Sequence, residues 1–270
     1  MQKDSVTMKD KVRRDGHVHT PYCPHGTKDA IESYIEKAIA EGLEEITFTE
    51  HMPLPDNILS YELQKECGLN PEDVVPYFRK VDEMKEKYKN KLKINKGLEV
   101  DYIEGYEEET KKLLDLYGED LEDGLLSVHI LKITGKYHCV DISAEEFGEL
   151  AELACGIEKL YDLYFETLLK AIRADLGHFK PKRIGHPTLI RIFNLRYPLD
   201  YKNEKLLEEV VKELKAANYQ IDFNTAGLRK PLCKEIYPSG IFLELIKKYE
   251  VEMIYGSDAH TAKDVASAFK

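Results

Sequence analysis

No apolar run in this 270-residue chain approaches the roughly 20 residues a membrane-spanning helix needs, so a spanning protein is not expected. Nor is there an excess of positive charge. Lys and Arg total 39 against 50 Asp and Glu, a formal net charge of -11. An acidic surface of this kind repels a phosphate backbone, so nucleic acid is not expected as a partner. Bound divalent cations would still cancel part of that charge locally and admit a small anion. The five cysteines (Cys23, Cys67, Cys139, Cys155 and Cys233) are odd in number and contain no CxxC pair. Neither a disulfide framework nor a thiolate zinc finger is indicated, and reduced, mostly buried thiols are expected. The phosphate-cradling loops GxxxxGK[ST] and GxGxxG are missing, as is the GxSxG nucleophile elbow. The opening MQKDSVTMKDKVRRDG is polar and lacks the apolar centre of a secretory signal, so the cytoplasm is the expected location.

What is present is an α/β pattern. Hydrophobic residues make up 43% and charged residues 33%, which suits a globular protein long enough to bury a core without cross-links. Seven short apolar or β-branched runs read as strands, at 14–19, 45–49, 93–100, 125–130, 183–186, 220–224 and 252–256. Helical periodicity falls between them, over 28–41, 71–88, 104–117, 157–176, 203–217 and 239–249. The clearest helix is EKLLEEVVKELKAAN, with Leu206, Leu207, Val210, Val211 and Leu214 on one face. Residues 52–71 read as a long loop, and AKDVASAFK at the C-terminus reads as a short or truncated last helix. No linker or low-complexity tract divides the chain, so a single domain over 1–270 is expected, with about 1–12 as an N-terminal extension.

Residues able to bind metal fall at the C-terminal end of nearly every expected strand, the edge where parallel α/β folds build their sites. The first strand ends in Asp15-Gly16-His17-Val18-His19 and the second in Thr49-Glu50-His51. The third ends in Gly97-Leu98-Glu99-Val100-Asp101, the fourth in Ser127-Val128-His129, and the fifth in Gly185-His186-Pro187. The seventh ends in Gly256-Ser257-Asp258-Ala259-His260, while the sixth offers the less committed Asp222, Asn224 and Thr225. His17 and His19 are two apart, so on a strand both imidazoles face one side and can share an ion. Asp258 and His260 repeat that spacing. Glu99 lies in an otherwise apolar strand, where an unpaired carboxylate would cost several kcal/mol unless cations met it. Asp101 shares its face and can support a ligand from behind. Seven of the nine histidines belong to these clusters or to the loop after the first strand; His138 and His178 stand apart. Cys23 and Cys139 lack partner spacing and are left out of the metal set.

Taken in order, HVHTPYCPH, TEHMPLP, GLEVDY, LSVH, GHPTL and GSDAH resemble the motifs of the polymerase and histidinol phosphatase (PHP) superfamily, and within it the histidinol-phosphate phosphatases. The resemblance runs from Asp15 to His260. It implies a distorted (β/α)7 TIM-like barrel with three divalent metal ions. One ion would be held by His17, His19, Glu99 and Asp258, with Glu99 bridging to a second on His129 and His186. A third would take His25, His51 and His260. Arg229 and Arg191 are the basic residues expected to bind the substrate phosphate.

The resemblance implies a metal-dependent phosphomonoesterase acting on L-histidinol phosphate, a small-molecule monoester; the metal cluster by itself recognises the phosphoryl group and says little about the alcohol. A hydroxide bridging two ions would attack phosphorus directly, with Asp258 or a ligand water protonating the leaving alcohol. A nitrogen and oxygen shell admits Zn, Mn and Fe alike. Three other readings use the same residues. Amidohydrolase barrels also open with HxH and end with a strand-terminal Asp, but would leave His25, His51 and His260 without a common role. A PHP-type nuclease or other phosphoesterase is disfavoured by the acidic balance. A metal-binding scaffold without catalysis would keep the ligands and release no phosphate.

Overall fold

The apolar runs become strands and the amphipathic segments helices in a computed structural model that describes residues 12–269. The extension expected over about 1–12 thus lies, but for its last residue, outside the described residues. In chain order the elements are β1 (Arg14–Val18), α1 (Ile31–Ala40), β2 (Glu45–His51), α2 (Tyr61–Cys67), α3 (Pro71–Tyr88), β3 (Lys93–Asp101), α4 (Glu107–Tyr117), β4 (Asp123–Ser127), β5 (Ile130–Ile133) and β6 (Lys136–Cys139). They continue with α5 (Ala144–Leu153), α6 (Ile157–Arg173), β7 (Arg183–Ile184), α7 (Glu204–Ala216), β8 (Gln220–Asn224), α8 (Gly240–Lys248) and β9 (Met253–Gly256).

β1, β2, β3, β4, β7, β8 and β9 form one sheet in that order, with every neighbouring pair parallel. Val18 bridges to Ala259, His19 N donates to Ala259 O at 3.1 Å, and Asp258 N donates to His17 O at 2.7 Å. Those contacts bring the last strand back to the first and nearly close a seven-stranded barrel, the architecture expected from the sequence. β3 is buried at every position after its first residue, as a strand between a filled interior and outer helices must be. The apolar face of α7 buries Leu207, Val210, Val211 and Leu214, each contributing about 1.5–3 kcal/mol.

The two ends of the barrel carry different chemistry. At the N-terminal end Arg183, only 1% exposed, donates to Asp123 Oδ2 and Gly16 O, both at 2.8 Å; Arg14 and Thr47 also reach Asp123. Burial pushes the Asp123 carboxyl up, but the Arg183 and Arg14 guanidiniums outweigh it and hold it below the usual range. This pairing plugs the interior. The C-terminal end is left to the histidines and carboxylates.

The structure differs from the expected elements in four places. The fourth strand stops at Ser127, and the chain continues into a separate antiparallel hairpin, β5 with β6. Its turn, Thr134 and Gly135, has positive φ at both residues (49° and 81°), which suits a tight hairpin. The expected loop over 52–71 contains α2, which has no buried residue and so shows no apolar periodicity. A helix, α5, forms after Ser143, whose side chain accepts from Glu146 N at 3.1 Å. After β9 only a single 3-10 turn, Ala262–Asp264, forms, because Ala266 and Ala268 turn to φ 57° and 62°.

Candidate metal centre

Strand ends from around the barrel bring all nine expected ligand residues to one bowl. His17, His19, His51, Glu99 and His186 are buried, His129, Asp258 and His260 are half-buried, and His25 is on the open rim. The imidazoles meet in pairs. His17 Nε2 lies 3.2 Å from His19 Nε2, His129 Nε2 lies 3.1 Å from His186 Nε2, and His25 Nε2 lies 3.0 Å from His260 Nε2. Two nitrogens that share a tetrahedral ion at the usual bond length stand about 3.3 Å apart. Glu99 sits between two of the pairs. Its Oε1 is 2.8 Å from His186 Nε2, while its Oε2 is 3.3 Å from His17 Nε2 and 3.4 Å from His19 Nε2. Each carboxylate oxygen therefore faces a different imidazole pair. Asp258 Oδ1 approaches His19 Nε2 at 3.4 Å and His17 Nε2 at 3.7 Å.

The far side of each pair is tied down. His17 Nδ1 meets Asp222 Oδ2 at 2.7 Å, His129 Nδ1 meets Asp101 Oδ1 at 2.8 Å, and His25 Nδ1 meets the Glu66 carbonyl at 2.8 Å. With Nδ1 donating outward, Nε2 keeps its lone pair and turns it inward, the tautomer a cation requires. When the rings are neutral, two inward lone pairs cannot hydrogen-bond to each other; a proton between them, as the raised His17 pKa reflects, or a metal ion resolves the conflict. His51 points the same way: both its ring nitrogens are buried without a hydrogen-bond partner. The residues fit divalent ions.

Backbone and charge agree. His186 and Asp258 adopt positive φ, 23° and 51°, a conformation uncommon for non-glycine residues. Gly185 and Gly256 permit close approach, since a Cβ would collide with Ser127 Oγ at the first and with Asp222 Oδ1 at the second. Burial alone would lower the His17 pKa, but Asp258, Glu99 and Asp222 outweigh it and raise it to about 10. Burial likewise disfavours the Glu99 carboxylate, yet His17, His51 and His129 hold it well below its ordinary value. Burial and the neighbouring imidazoles keep His51 neutral.

The bowl opens on a cavity of about 600 Å³. Arg229 lines it: one guanidinium nitrogen donates to the Ser257 and Asp258 carbonyls at 2.7 and 3.1 Å, while Nη1 is buried and unpartnered. Arg191, expected beside the phosphate as well, is not there. It lines a separate cleft with Tyr161 and Asn194 and is committed to Glu235 through two bonds of 2.7 and 2.8 Å. A short 3-10 turn, Leu189–Arg191, carries its side chain away from the bowl. Cys23, left out of the expected set, is brought in by the fold: its thiol lies with His19, His51 and His260 close enough to share an ion. Burial raises its pKa, but the hydrogen bonds with His19, His25 and His260 prevail and lower it to about 3. Its place in the HTPYCPH segment, four residues after His19, was the available signal. Asp222 and Glu50 were also missed as supports, Glu50 Oε2 lying 3.5 Å from His19 Nδ1. His138 sits on β6 and His178 is exposed against Phe179, both apart from the bowl.

Residues 15–226 match the PHP domain model. The chain belongs to the PHP domain family. Its relatives in that family include the histidinol-phosphatase of Bacillus subtilis (strain 168), 38% identical over 260 residues, 96% of this chain and 97% of the other. The crystal structure of the "putative histidinol phosphatase" of Listeria monocytogenes matches with a TM-score of 0.91 at 36% identity, over 95% of this chain and 98% of that one. The PHP fold extends to a more distant protein, the histidinol phosphate phosphatase of Lactococcus lactis, whose crystal structure holds zinc, L-histidinol and phosphate. It matches with a TM-score of 0.64 at 22% identity, over 93% of this chain and 87% of that one. Membership in the PHP family sets aside the amidohydrolase reading, which rested on the HxH opening and the terminal Asp alone.

Proposed function

We propose that this PHP protein is a histidinol-phosphatase, a phosphoric monoester hydrolase that converts L-histidinol phosphate to L-histidinol and phosphate in histidine biosynthesis. Its kinship with the Bacillus subtilis histidinol-phosphatase over nearly the whole of both chains supports the substrate. The structural observation that carries the chemistry is the set of three inward-facing imidazole pairs around the divided carboxylate of Glu99.

His17, His19, Glu99 and Asp258 would hold one divalent ion, Glu99, His129 and His186 a second, and His25, His51 and His260 a third, as Zn, Mn or Fe. Bound in such clusters, divalent ions make water nucleophilic at neutral pH and neutralise charge on a phosphoryl group. The chain's own residues supply the rest. Arg229 lines the cavity and its buried Nη1 is committed to no protein acceptor, so a turn of the guanidinium would let it donate to a phosphoryl oxygen. Burial disfavours the Asp258 carboxylate, but His17 and His19 outweigh that and hold its pKa well below the ordinary value. Asp258 is thus no resident acid, contrary to a simple donor role. It can serve the leaving alcohol only by first taking a proton at its carboxylate from the attacking water and then passing it on. Leu189 and Ile192, both buried, give the cavity part of its apolar wall. Among the described residues no helix is long and apolar enough to cross a membrane, and action in the cytoplasm belongs to this reading.

The test is to count metal per chain by elemental analysis and then to measure phosphate release from histidinol phosphate, from competing monoesters and from a phosphodiester, before and after chelation. Release that prefers histidinol phosphate and stops on chelation is expected. A preference for the phosphodiester would turn the reading to a nuclease, and bound metal without release would leave a scaffold.

A further inference from the structure

Beside the bowl, two thiols stand in contact. Cys67, the last residue of α2, and Cys139, the last of β6, have their Sγ atoms 3.7 Å apart. Neither has a part in the chemistry above. Cys139 is buried in a small apolar cluster with Ile58, Ile103 and Ile130, separate from the main core. Cys67 is half-buried and lines the central cavity, so a small solute in that cavity reaches it first. The hydrogen bond from the Cys139 thiol draws the Cys67 pKa down, whereas the Cys139 pKa is raised by the same bond and by burial. Cys67 is therefore the accessible, more acidic member and Cys139 the sheltered one, the usual division between an attacking and a resolving thiol.

Their elements make this pairing consequential. α2 forms one edge of the cavity through Leu63, Glu66 and Cys67, and the Glu66 carbonyl holds His25 Nδ1 at 2.8 Å. Yet α2 buries no residue fully, and its apolar side chains Leu63 and Cys67 pack on the small cluster shared with the β5–β6 hairpin. A segment with so little apolar contact opens at low cost.

We propose that Cys67 and Cys139 are a peroxide-oxidised thiol pair whose reversible disulfide clamps α2 to the β5–β6 hairpin and slows exchange through that edge of the cavity. The Cys67 sulfur attacks hydrogen peroxide: an S–O bond forms, the O–O bond breaks, and the departing hydroxide leaves as water with the thiol proton. Cys139 sulfur then attacks the Cys67 sulfenic acid: the S–S bond forms, the S–O bond breaks, and a second water carries off the Cys139 proton. Two electrons pass from the sulfurs to the peroxide, which is consumed. The sulfurs need only close from 3.7 Å to the bond length of about 2.0 Å, a shift that a turn of the Cys67 side chain and a small movement of α2 supply.

The clamp's effect on turnover rests on the phosphatase reading; formation of the cross-link does not. The experiment treats zinc-loaded protein with an equivalent of hydrogen peroxide, alkylates free thiols and maps the peptides by mass spectrometry. A peptide joining Cys67 to Cys139 with loss of two hydrogens is expected, together with slower protease cleavage within 52–70. A fall in kcat for phosphate release of about fivefold or more should accompany it, as for an enzyme limited by an opening edge. Dithiothreitol should reverse all three, and Cys67→Ser or Cys139→Ala should each abolish the response. Oxidation of Cys23 or Cys67 without the joined peptide would overturn the pairing. A joined peptide with unchanged cleavage would overturn the clamp, and slowed cleavage with unchanged kcat would overturn its control of exchange. If untreated protein released no phosphate at all, the phosphatase reading would fail while the peptide map still judged the pair.

Discussion

A single carboxylate oxygen, Oδ2 of Asp222, meets His17 Nδ1 at 2.7 Å and also accepts the backbone N–H of His186 at 3.2 Å. One side chain on β8 thereby orients a candidate ligand of β1 and the loop that carries another. Asn224 Nδ2, 2.9 Å away, donates to the same oxygen and fixes its direction. Asp222→Asn keeps one oxygen for these donors but removes the negative charge behind His17 and puts an NH2 group in place of the buried, unpartnered Oδ1. Metal affinity should fall by about 10–100-fold, with turnover partly restored at high metal. A calorimetric titration that found wild-type affinity would remove Asp222 from the site.

Glu99 turns one carboxylate oxygen to each of two imidazole pairs, so its loss should disable both at once. Glu99→Ala and His17→Ala should each lower kcat by roughly 100- to 1000-fold or more while leaving far-ultraviolet circular dichroism near normal. Metal content should fall along with activity. A variant that retained wild-type turnover would show the assigned cluster to be wrong.

How far the sequence revealed this site depends on the residue. The nine residues that meet in the bowl were legible because they fall at strand ends or in the loop after the first strand, and strand ends are marked by apolar runs that stop. The supports were not, since Asp222 joins His17 across 205 positions and no local pattern records that contact. Arg191 shows the opposite error: a basic residue near a ligand motif looked available, but a 3-10 turn carried it to Glu235. The seven parallel strands were readable from burial on both faces. α2 escaped because it buries nothing, and the β5–β6 hairpin was hidden by the apolar run that continues past His129. The Thr134-Gly135 turn and the Ser143-x-x-Glu146 capping pattern were the overlooked signals.

Gly185 offers a test of close packing around Glu99. A Cβ there would collide with Ser127 Oγ, which donates to Glu99 Oε1 at 2.7 Å. Gly185→Ala should displace Ser127, move the carboxylate and cost about 1–3 kcal/mol of stability. Adding Ser127→Ala removes the clashing oxygen and should recover part of that loss. Strict additivity of the two substitutions in thermal unfolding would argue against the contact.

Metal and pH should act on stability in opposite senses. In the metal-free chain the His17 pKa stands near 10, above its ordinary 6.5, so the folded state binds a proton more tightly than the unfolded state does. That contribution is complete below 6.5 and is lost as pH rises through 10. Ions compete with the same protons, so rising pH strengthens their binding. The gap in Tm between metal-loaded and chelated protein should therefore widen steadily from pH 6.5 to 10. Differential scanning calorimetry at several values in that range measures it. A constant or narrowing gap would mean that ions and protons do not share these nitrogens.

The two arginines should separate binding from stability. Arg229 lines the cavity and keeps an Nη1 that no protein acceptor uses, so Arg229→Ala should lower kcat/KM by roughly tenfold or more, as the loss of a charged hydrogen bond to phosphate does. Arg229→Lys keeps the charge but loses the fork that also grips the Ser257 and Asp258 carbonyls, and should recover only part of the loss. Arg191 spends its guanidinium on Glu235 in the other cleft. Arg191→Ala should leave kcat/KM near wild type while costing about 1–3 kcal/mol, because the pair lies between the exposed and buried extremes. Steady-state kinetics and thermal melts on the same preparations distinguish the cases. Should Arg191→Ala raise KM without lowering Tm, Arg191 would have to leave Glu235 and turn into the bowl when substrate binds, a movement that the doubly bonded pair opposes.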